Sequence, residues 1–375
     1  MNENHPFTYF DIIPDYRQKG KVTHKLTDII LLTICSVLSG MDDWDEISDY
    51  GEQRIDFLKK IGDFDEGIPS ASTIARTMRM INPTKLQTCF IQWMNACVKL
   101  TDGEVIAIDG KTVRGSYDKA SDKKAIHMVN AFATANGVTL GQEKVYKKSN
   151  EITAIPKLLD LLEIKGCLVT IDAMGCQKAI AKKIQDKQAD YLLAVKGNQG
   201  RLATAFEQYF NLGLLNQDDT DTYSTEEKSR GRNETRIAFV NHDLSVLGDI
   251  SDEWPGLKSM GFVVSINTTK EIAEESDIHV RYYISSKDLN AKELLIASRS
   301  HWLVESMHWQ LDCSFNEDKS RKRAEESAEN FSRIRQICLN LLKSETSFKA
   351  SIKRKRKMCL MDESYIWTVL GTLSE

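Results

Sequence analysis

Twice in this chain a run of apolar and β-branched residues stops on an aspartate. "VIAIDGK" closes on Asp109 and "CLVTIDAMGCQ" closes on Asp172. Apolar runs this short, with no alternation, fit strands buried on both faces of a sheet that helices cover. An acid at the tip of such a strand sits where the core ends. Two readings of Asp172 stand at this point. It caps the turn that follows, or the strand holds a carboxylate rigidly in a site.

The surrounding pattern predicts a mixed α/β sheet. After "EVIAIDGKTV", the segment "KAIHMVNAFATANGVTL" predicts a second strand with a turn at Asn136-Gly137, and "GQEKVYKKS" a return strand. "NEITAIPKLLDLLEIKG" predicts a helix that tolerates Pro156 in its first turns and stops at Gly166. The strand ending on Asp172 comes next, then a helix in "CQKAIAKKIQDKQA" and a strand in "DYLLAVKGNQ". The first three strands pair as a meander and the last two need crossovers. Strands one and four are then able to lie side by side, which brings Asp109 beside Asp172.

Residues 223–290 break this alternation with β-like segments separated by polar turns, and a long helix, "NAKELLIASRSHWLVESMHWQLDCSF", follows. Residues 1–100 are expected to be all-helical, residues 101–345 to form the mixed-sheet domain, and residues 346–375 a basic tail with five consecutive cations at 353–357. Within "GIPSASTIARTMRMINP", Ser72 is expected to cap a short helix that carries Arg76 and Arg79. That segment is similar to the second helix of a helix-turn-helix, so both arginines are expected to reach DNA.

Composition narrows the functional classes. The formal net charge of −4 over 375 residues excludes a generally basic chain, so nucleic-acid contact has to come from local patches. The eight cysteines form no CxxC pair, which argues against a zinc finger or a disulfide framework. The first twenty residues lack a basic segment followed by an apolar one, and the apolar run at 29–38 is too short to span a bilayer. A reducing cytoplasm is the expected location.

Two carboxylates about 4 Å apart repel by about 4 kcal/mol at an effective dielectric near 20. A shared proton or a bound cation removes that cost, and hard oxygen ligands favour Mg²⁺ or Mn²⁺. A third acid is sought in the long helix. Glu305 lies between His301 and His308 on one helix face, with Asp312, Glu317 and Asp318 as rivals. The bland reading makes Glu305 a surface residue and Trp302, Leu303 and Trp309 core. A nucleotide loop at "GKT" is excluded, because Val105 stands where its upstream glycine belongs. A carboxylate-bridged oxygen-activating centre would need two Glu-x-x-His pairs, and one was found, at Glu305 and His308.

At this point the sequence resembles the H-repeat-associated family of DDE insertion-sequence transposases. The likeness is carried by "FDIIPDYRQKGKVTHKLTDIILLTICSVLSGMDDWDEI", "GIPSASTIARTM", "IAIDGKTVRGS", "KSNEITAIPKLLDLL", "TIDAMGCQKAIAKKI", "DYLLAVKGNQ" and "HWLVESMHWQLDCSFNEDKSR". It implies a ribonuclease-H-like catalytic domain with a β-rich insertion before the glutamate helix. It implies Asp109, Asp172 and Glu305 as catalytic metal ligands for two Mg²⁺ ions, with Mn²⁺ substituting. The implied partners are double-stranded transposon ends and target DNA, bound by a homodimer. Lys111, Arg114, Lys196 and Asn198 follow the strand ends and are expected at phosphates or bases. The family's wider signature, Y-x2-R-x3-E-x6-K, falls here on Ser298, His301, Glu305 and Asp312, so His301 stands at a DNA-contacting position. A catalytically inactive, transposon-derived DNA-binding protein is the alternative.

Overall fold

A computed structural model describes residues 6–118, 124–145, 151–211, 220–229, 232–268 and 277–372. One nine-stranded sheet runs through it in the order β3-β2-β1-β4-β5-β9-β8-β7-β6. The strands are β1 (Val105–Thr112), β2 (His127–Ala133), β3 (Val138–Val145), β4 (Leu168–Ile171), β5 (Asp190–Val195), β6 (Asp221–Ser229), β7 (Arg232–Asn241), β8 (Ser259–Thr268) and β9 (Ile278–Ser285). The expected meander forms: β1, β2 and β3 are antiparallel, with Gly137 at φ +71° in the turn. The return strand starts earlier than predicted, at Val138, and residues 146–149 of the predicted segment lie outside the described residues.

β4 enters parallel between β1 and β5, in the register Ile108↔Ile171 and Ile171↔Leu193. Its four residues are all buried, as a continuous apolar run in a central parallel strand requires. The β-rich stretch does not form a separate layer. β9 pairs antiparallel with β5, and β8, β7 and β6 extend the same sheet beyond it. β6, "DTYSTEEKS", makes the far edge, and its charged residues suit an edge that must not recruit another strand.

Helices cover both faces. On one lie α6 (Glu151–Leu161), α7 (Lys178–Asp186) and α8 (Gly200–Asn211), packed against Ile106, Ile108, Val169 and Ile171. On the other lies α9 (Ala291–Phe315), which opens on a capping box between Asn290 and Glu293. Beyond α9 sit α1 (Leu26–Leu38), α2 (Trp44–Gln53), α3 (Ile55–Leu58), α4 (Ala71–Met80) and α5 (Pro83–Cys97). Asn82 caps α5 by accepting from Lys85 N at 3.1 Å, and Pro83 occupies its first turn. The N-cap of α4 is Ser70, not Ser72. Pro69 keeps the chain extended just ahead of it, so the helix begins as soon as the constraint is past.

The C-terminal segment differs most from expectation. It is not a tail. α10 (Ser327–Ser344), α11 (Ile352–Met361) and α12 (Glu363–Gly371) share one apolar core with α1–α5 and the second half of α9. α10 is buried almost all round, with Asn330 Nδ2 donating to the carbonyls of Met78 and Ile81 at 2.9 Å. The run at 353–357 is helical and faces two ways. Lys353 and Lys357 are exposed, while Lys355 and Arg356 are buried. Lys355 donates to the Leu342 carbonyl at 2.9 Å and pairs with Glu345 at 3.2 Å. Arg356 donates to the Val37 carbonyl at 2.7 and 3.0 Å, to the Ser314 carbonyl, and to Asp42 at 3.2 Å.

Removing one partner of a buried charged cluster strands the others. Arg356→Ala should therefore lower the unfolding free energy by about 3 kcal/mol. Lys353→Ala, one turn away on the exposed side, should change it by less than about 0.5 kcal/mol. Urea unfolding of the two variants checks this; equal effects would return the segment to a solvated role.

Candidate active site at the tips of two parallel strands

Strand alternation decides which side chains meet. Ile106, Ile108, Val169 and Ile171 face α6 and α7, so Asp109, Lys111, Thr170 and Asp172 fall on the α9 side. There α9 presents a polar stripe, His301, Glu305, His308 and Asp312, alongside the buried Val304, Met307, Leu311 and Phe315. Three of the four stripe residues meet the sheet directly. His301 Nδ1 lies 3.0 Å from Thr170 Oγ1, His308 Nδ1 lies 3.5 Å from Asp109 Oδ2, and Asp312 Oδ1 accepts from Lys111 Nζ at 2.7 Å. Glu305 is exposed between them.

Asp109 is partly buried, and burial together with Asp172, Glu151 and Glu305 pushes its carboxyl up to about 7, against the Gly110 amide, which favours the ionised form. Burial likewise raises Glu305, opposed by the Arg281 guanidinium. Asp172 satisfies the capping reading: Oδ1 accepts from Met174 N at 3.0 Å and Gly175 N at 3.2 Å. Both bonds fall on one oxygen, so capping does not compete with a second ligand on Oδ2. Gly175 serves packing: a Cβ there would meet Ile171 at 2.2 Å and Ile155 at 3.1 Å.

The donor set, three carboxylates, suits a hard divalent cation, and the raised Asp109 is the penalty such an ion would relieve. The side chains are not drawn together, however. Among the described residues no three His, Cys, Asp or Glu groups converge closely enough to hold a metal ion.

Glu151, on the opposite face, is an acid that the sequence patterns did not single out. It pairs with His127 Nε2, while His127 Nδ1 lies 2.8 Å from Thr112 Oγ1. Both lie over Gly110, where a Cβ would meet His127 Nε2 at 2.3 Å and Glu151 Oε1 at 2.5 Å. The glycine after Asp109 is therefore what lets this pair close on the strand. The only sequence signal for Glu151 was its place at the start of a predicted helix.

The expected DNA-contacting residues divide. Lys111 is a correction. It is buried, and besides Asp312 it meets Glu317 at 2.9 Å and Asp318 at 3.4 Å. Burial pulls its ammonium down, and the surrounding acids more than reverse this, holding it above its ordinary value. It is committed inside the fold. Asn198 is exposed, but its amide donates to the Ala173 carbonyl at 2.6 Å, bracing the loop behind Asp172. Arg114 has 82% of its side chain exposed, at 3.6 Å from Asp318, and Lys196 is exposed at the tip of β5. Arg76 is exposed and Arg79 half-buried on α4. His301 is largely buried, which lowers its pKa against the pull of Asp172, and it faces the sheet.

Trp302 and Trp309 are not core: they are 43% and 64% exposed. Trp302 lines a groove of about 410 Å³ between α9 and strands β7–β9, beside Glu305, with Arg236, His279, Arg281 and Arg299. Arg299 forms a two-pronged pair with Glu227 at 2.6 and 3.0 Å, and Arg236 pairs with Glu234. Arg281 instead stacks over the Trp302 ring at 4.4 Å. No helix among the described residues is long and apolar enough to cross a membrane.

The Asp109 shift has a measurable consequence. A carboxyl held at about 7 in the folded state, against about 3.8 unfolded, binds its proton more tightly when folded. Raising the pH from 4 to 7 therefore removes stability, and no more is lost above that window. In metal-free buffer, Asp109→Asn should become increasingly more stable than the unsubstituted protein across that window, reaching about 4 kcal/mol by pH 8. A constant gap across the window would show that Asp109 is not held protonated.

Two family models match the chain. One, described as Transposase DDE domain, covers residues 100–341, and one described as DDE_Tnp_1-associated covers residues 7–94. Among relatives, "Putative transposase YncI" of Escherichia coli O157:H7 is 52% identical over 98% of this chain and 94% of its own length. "H repeat-associated putative transposase YhhI" of Escherichia coli strain K12 is 50% identical over 97% of each. A solved structure of the piggyBac transposase synaptic complex with hairpin DNA covers 98% of this chain and 82% of that one, at a TM-score of 0.46 and 11% identity, too distant a likeness to add to the assignment. With matches that run through both the helical N-terminal segment and the sheet bearing the two aspartates, the chain belongs to the DDE transposases, in their H repeat-associated branch.

Proposed function

We propose that this protein cuts DNA at the ends of an insertion-sequence-like element and joins the freed 3′-OH to target DNA, with Asp109, Asp172 and Glu305 as its catalytic carboxylates. One observation carries the reading: Asp109 and Asp172 stand at neighbouring parallel strand tips beneath the helix that bears Glu305. The meander followed by two parallel strands supports a ribonuclease-H-like core. Two Mg²⁺ ions, or Mn²⁺ in their place, held by these three acids, would supply activation of the attacking water and stabilisation of the departing 3′ oxygen.

The chain's own groups prepare the place. The rigid strands β1 and β4 hold two carboxylates at fixed separation. Glu305, on the α9 stripe above them, would supply the third. Arg281 and Trp302, beside Glu305, offer a cation and a ring face to a DNA strand. Arg114 and Lys196 flank the strand tips as exposed cations, and Arg76 and Arg79 on α4 would reach DNA further out. Two copies would serve two ends, and cytoplasmic DNA is the substrate within reach.

No covalent enzyme intermediate is required, and the obvious nucleophiles are otherwise engaged. Ser116 Oγ donates to the Val113 carbonyl at 2.6 Å and accepts from Ile126 N at 2.8 Å. Cys176 is buried, and burial beside Asp172 pushes its thiol up to about 12.

A second reading, a DNA-binding protein without chemistry, draws on the separation of the three acids. Nicking of a supercoiled plasmid with Mg²⁺ or Mn²⁺ distinguishes the two. The unsubstituted protein should nick. Asp109→Ala and Asp172→Ala should not, while still retarding end-containing DNA. Full nicking by either variant would remove the catalytic assignment, and no nicking by any form would favour the second reading. Arg281→Ala should weaken DNA binding and reduce the slope of log K against log salt by about 1.

A further inference from the structure

A row of three polar side chains crosses the sheet on the α9 face. Asp109 on β1 is opposite Asn130 on β2, and Asn130 is opposite Gln142 on β3. Asn130 and Gln142 are each 1% exposed. His308 comes down on this row from α9, 8% exposed. Buried polar groups of this kind need partners, and the partners here dictate one another's roles.

Gln142 Nε2 donates to Asn130 Oδ1 at 2.7 Å. Asn130 Nδ2 lies 3.3 Å from the Met128 carbonyl and 3.1 Å from His308 Nε2. A carbonyl oxygen only accepts, so the Asn130 atom facing Met128 has to be the amide nitrogen. A flipped amide would set two oxygens against each other. Nδ2 is thus a donor, and His308 Nε2 must offer it a lone pair. A neutral imidazole with a bare Nε2 carries its proton on Nδ1. Nδ1 is the atom 3.5 Å from Asp109 Oδ2.

We propose that His308 is a positioning residue for Asp109: Asn130 and Gln142 fix its tautomer, and its Nδ1–H orients the carboxyl through Oδ2, leaving Oδ1 for a ligand. The arrangement is a neutral donor behind a carboxylate, which aims the carboxylate without neutralising it. The inference rests on the reading of Asp109 as a functional carboxylate, but its tautomer can be measured whether or not the chain cleaves DNA.

The test uses the full chain with ¹⁵N-labelled histidine. Two-bond ¹H–¹⁵N correlation at pH 7 assigns the tautomer, and His308→Asn identifies the resonance by its loss. The expected pattern is a neutral ring protonated on Nδ1; a ring protonated on Nε2, or on both nitrogens, overturns the proposal. Mn²⁺ binding, read by calorimetry without DNA, gives a second measure. His308→Asn keeps an N–H near the position of Nδ1 and should bind Mn²⁺ within about threefold of the unsubstituted protein. His308→Gln loses that donor and should weaken binding by about 10- to 100-fold. Equal weakening in the two variants would mean that His308 only fills space. Should the unsubstituted protein fail to nick while the Nδ1–H tautomer is found, the transposase reading fails and the positioning role stands. The reverse pair of results leaves the catalytic reading intact and removes the role of His308.

Discussion

Parallel pairing of β1 with β4, Ile108 opposite Ile171, is the constraint on which the site depends. Each strand contributes one carboxylate just past its last buried apolar residue. Their proximity is therefore set by backbone hydrogen bonds, not by attraction between side chains, which would drive two acids apart. Burial first, and then Asp172, Glu151 and Glu305, raise the Asp109 carboxyl, a cost borne by a sheet buried on both faces. A one-residue slip of β4 would turn Asp172 to the α6 face and leave Asp109 without its neighbour.

The second constraint is the register of α9. Its apolar stripe locks into the helical core, so the polar stripe beside it has no freedom to slide. His301 meets Thr170, His308 meets Asp109, and Asp312 meets Lys111, in chain order along the helix. Glu305 lies between two of these anchors, so its place beside the strand tips follows from neighbours that are themselves paired. The helices at the two ends of the chain form the backing for this register. Arg356 on α11 bonds to carbonyls at the end of α1 and near the end of α9, tying both to the same frame.

Much of the sheet was legible in the sequence because strand ends and turns are local. The meander, the two crossovers and the adjacency of Asp109 and Asp172 follow from apolar runs and Gly positions alone. The rest depended on pairings distant in the chain. Cations at 353–357 look alike in a list, yet only the Asp42, Glu345 and carbonyl partners, supplied by other helices, decide that Lys355 and Arg356 go inside. Trp302 and Trp309 look like core by composition, but a neighbouring stripe of Val304, Met307 and Leu311 already fills that role. Glu151 could not be ranked among many glutamates without the cross-sheet contact over Gly110.

Lys111 and Asp312 show what the departure from the family signature does physically. Where the signature has a lysine on the glutamate helix, this chain has Asp312, and a lysine stands on β1 two residues after Asp109. The two meet at 2.7 Å. With Glu317 and Asp318 also against Lys111, one buried ammonium is shared by three acids. That cluster cannot attract a phosphate, because its cation is more than neutralised. Positive charge beside the stripe must therefore come from elsewhere. Arg281, stacked on Trp302 across the groove from the stripe, is placed to supply it. The positive charge next to Glu305 then resides on the strand that joins the β-rich segment to the central sheet.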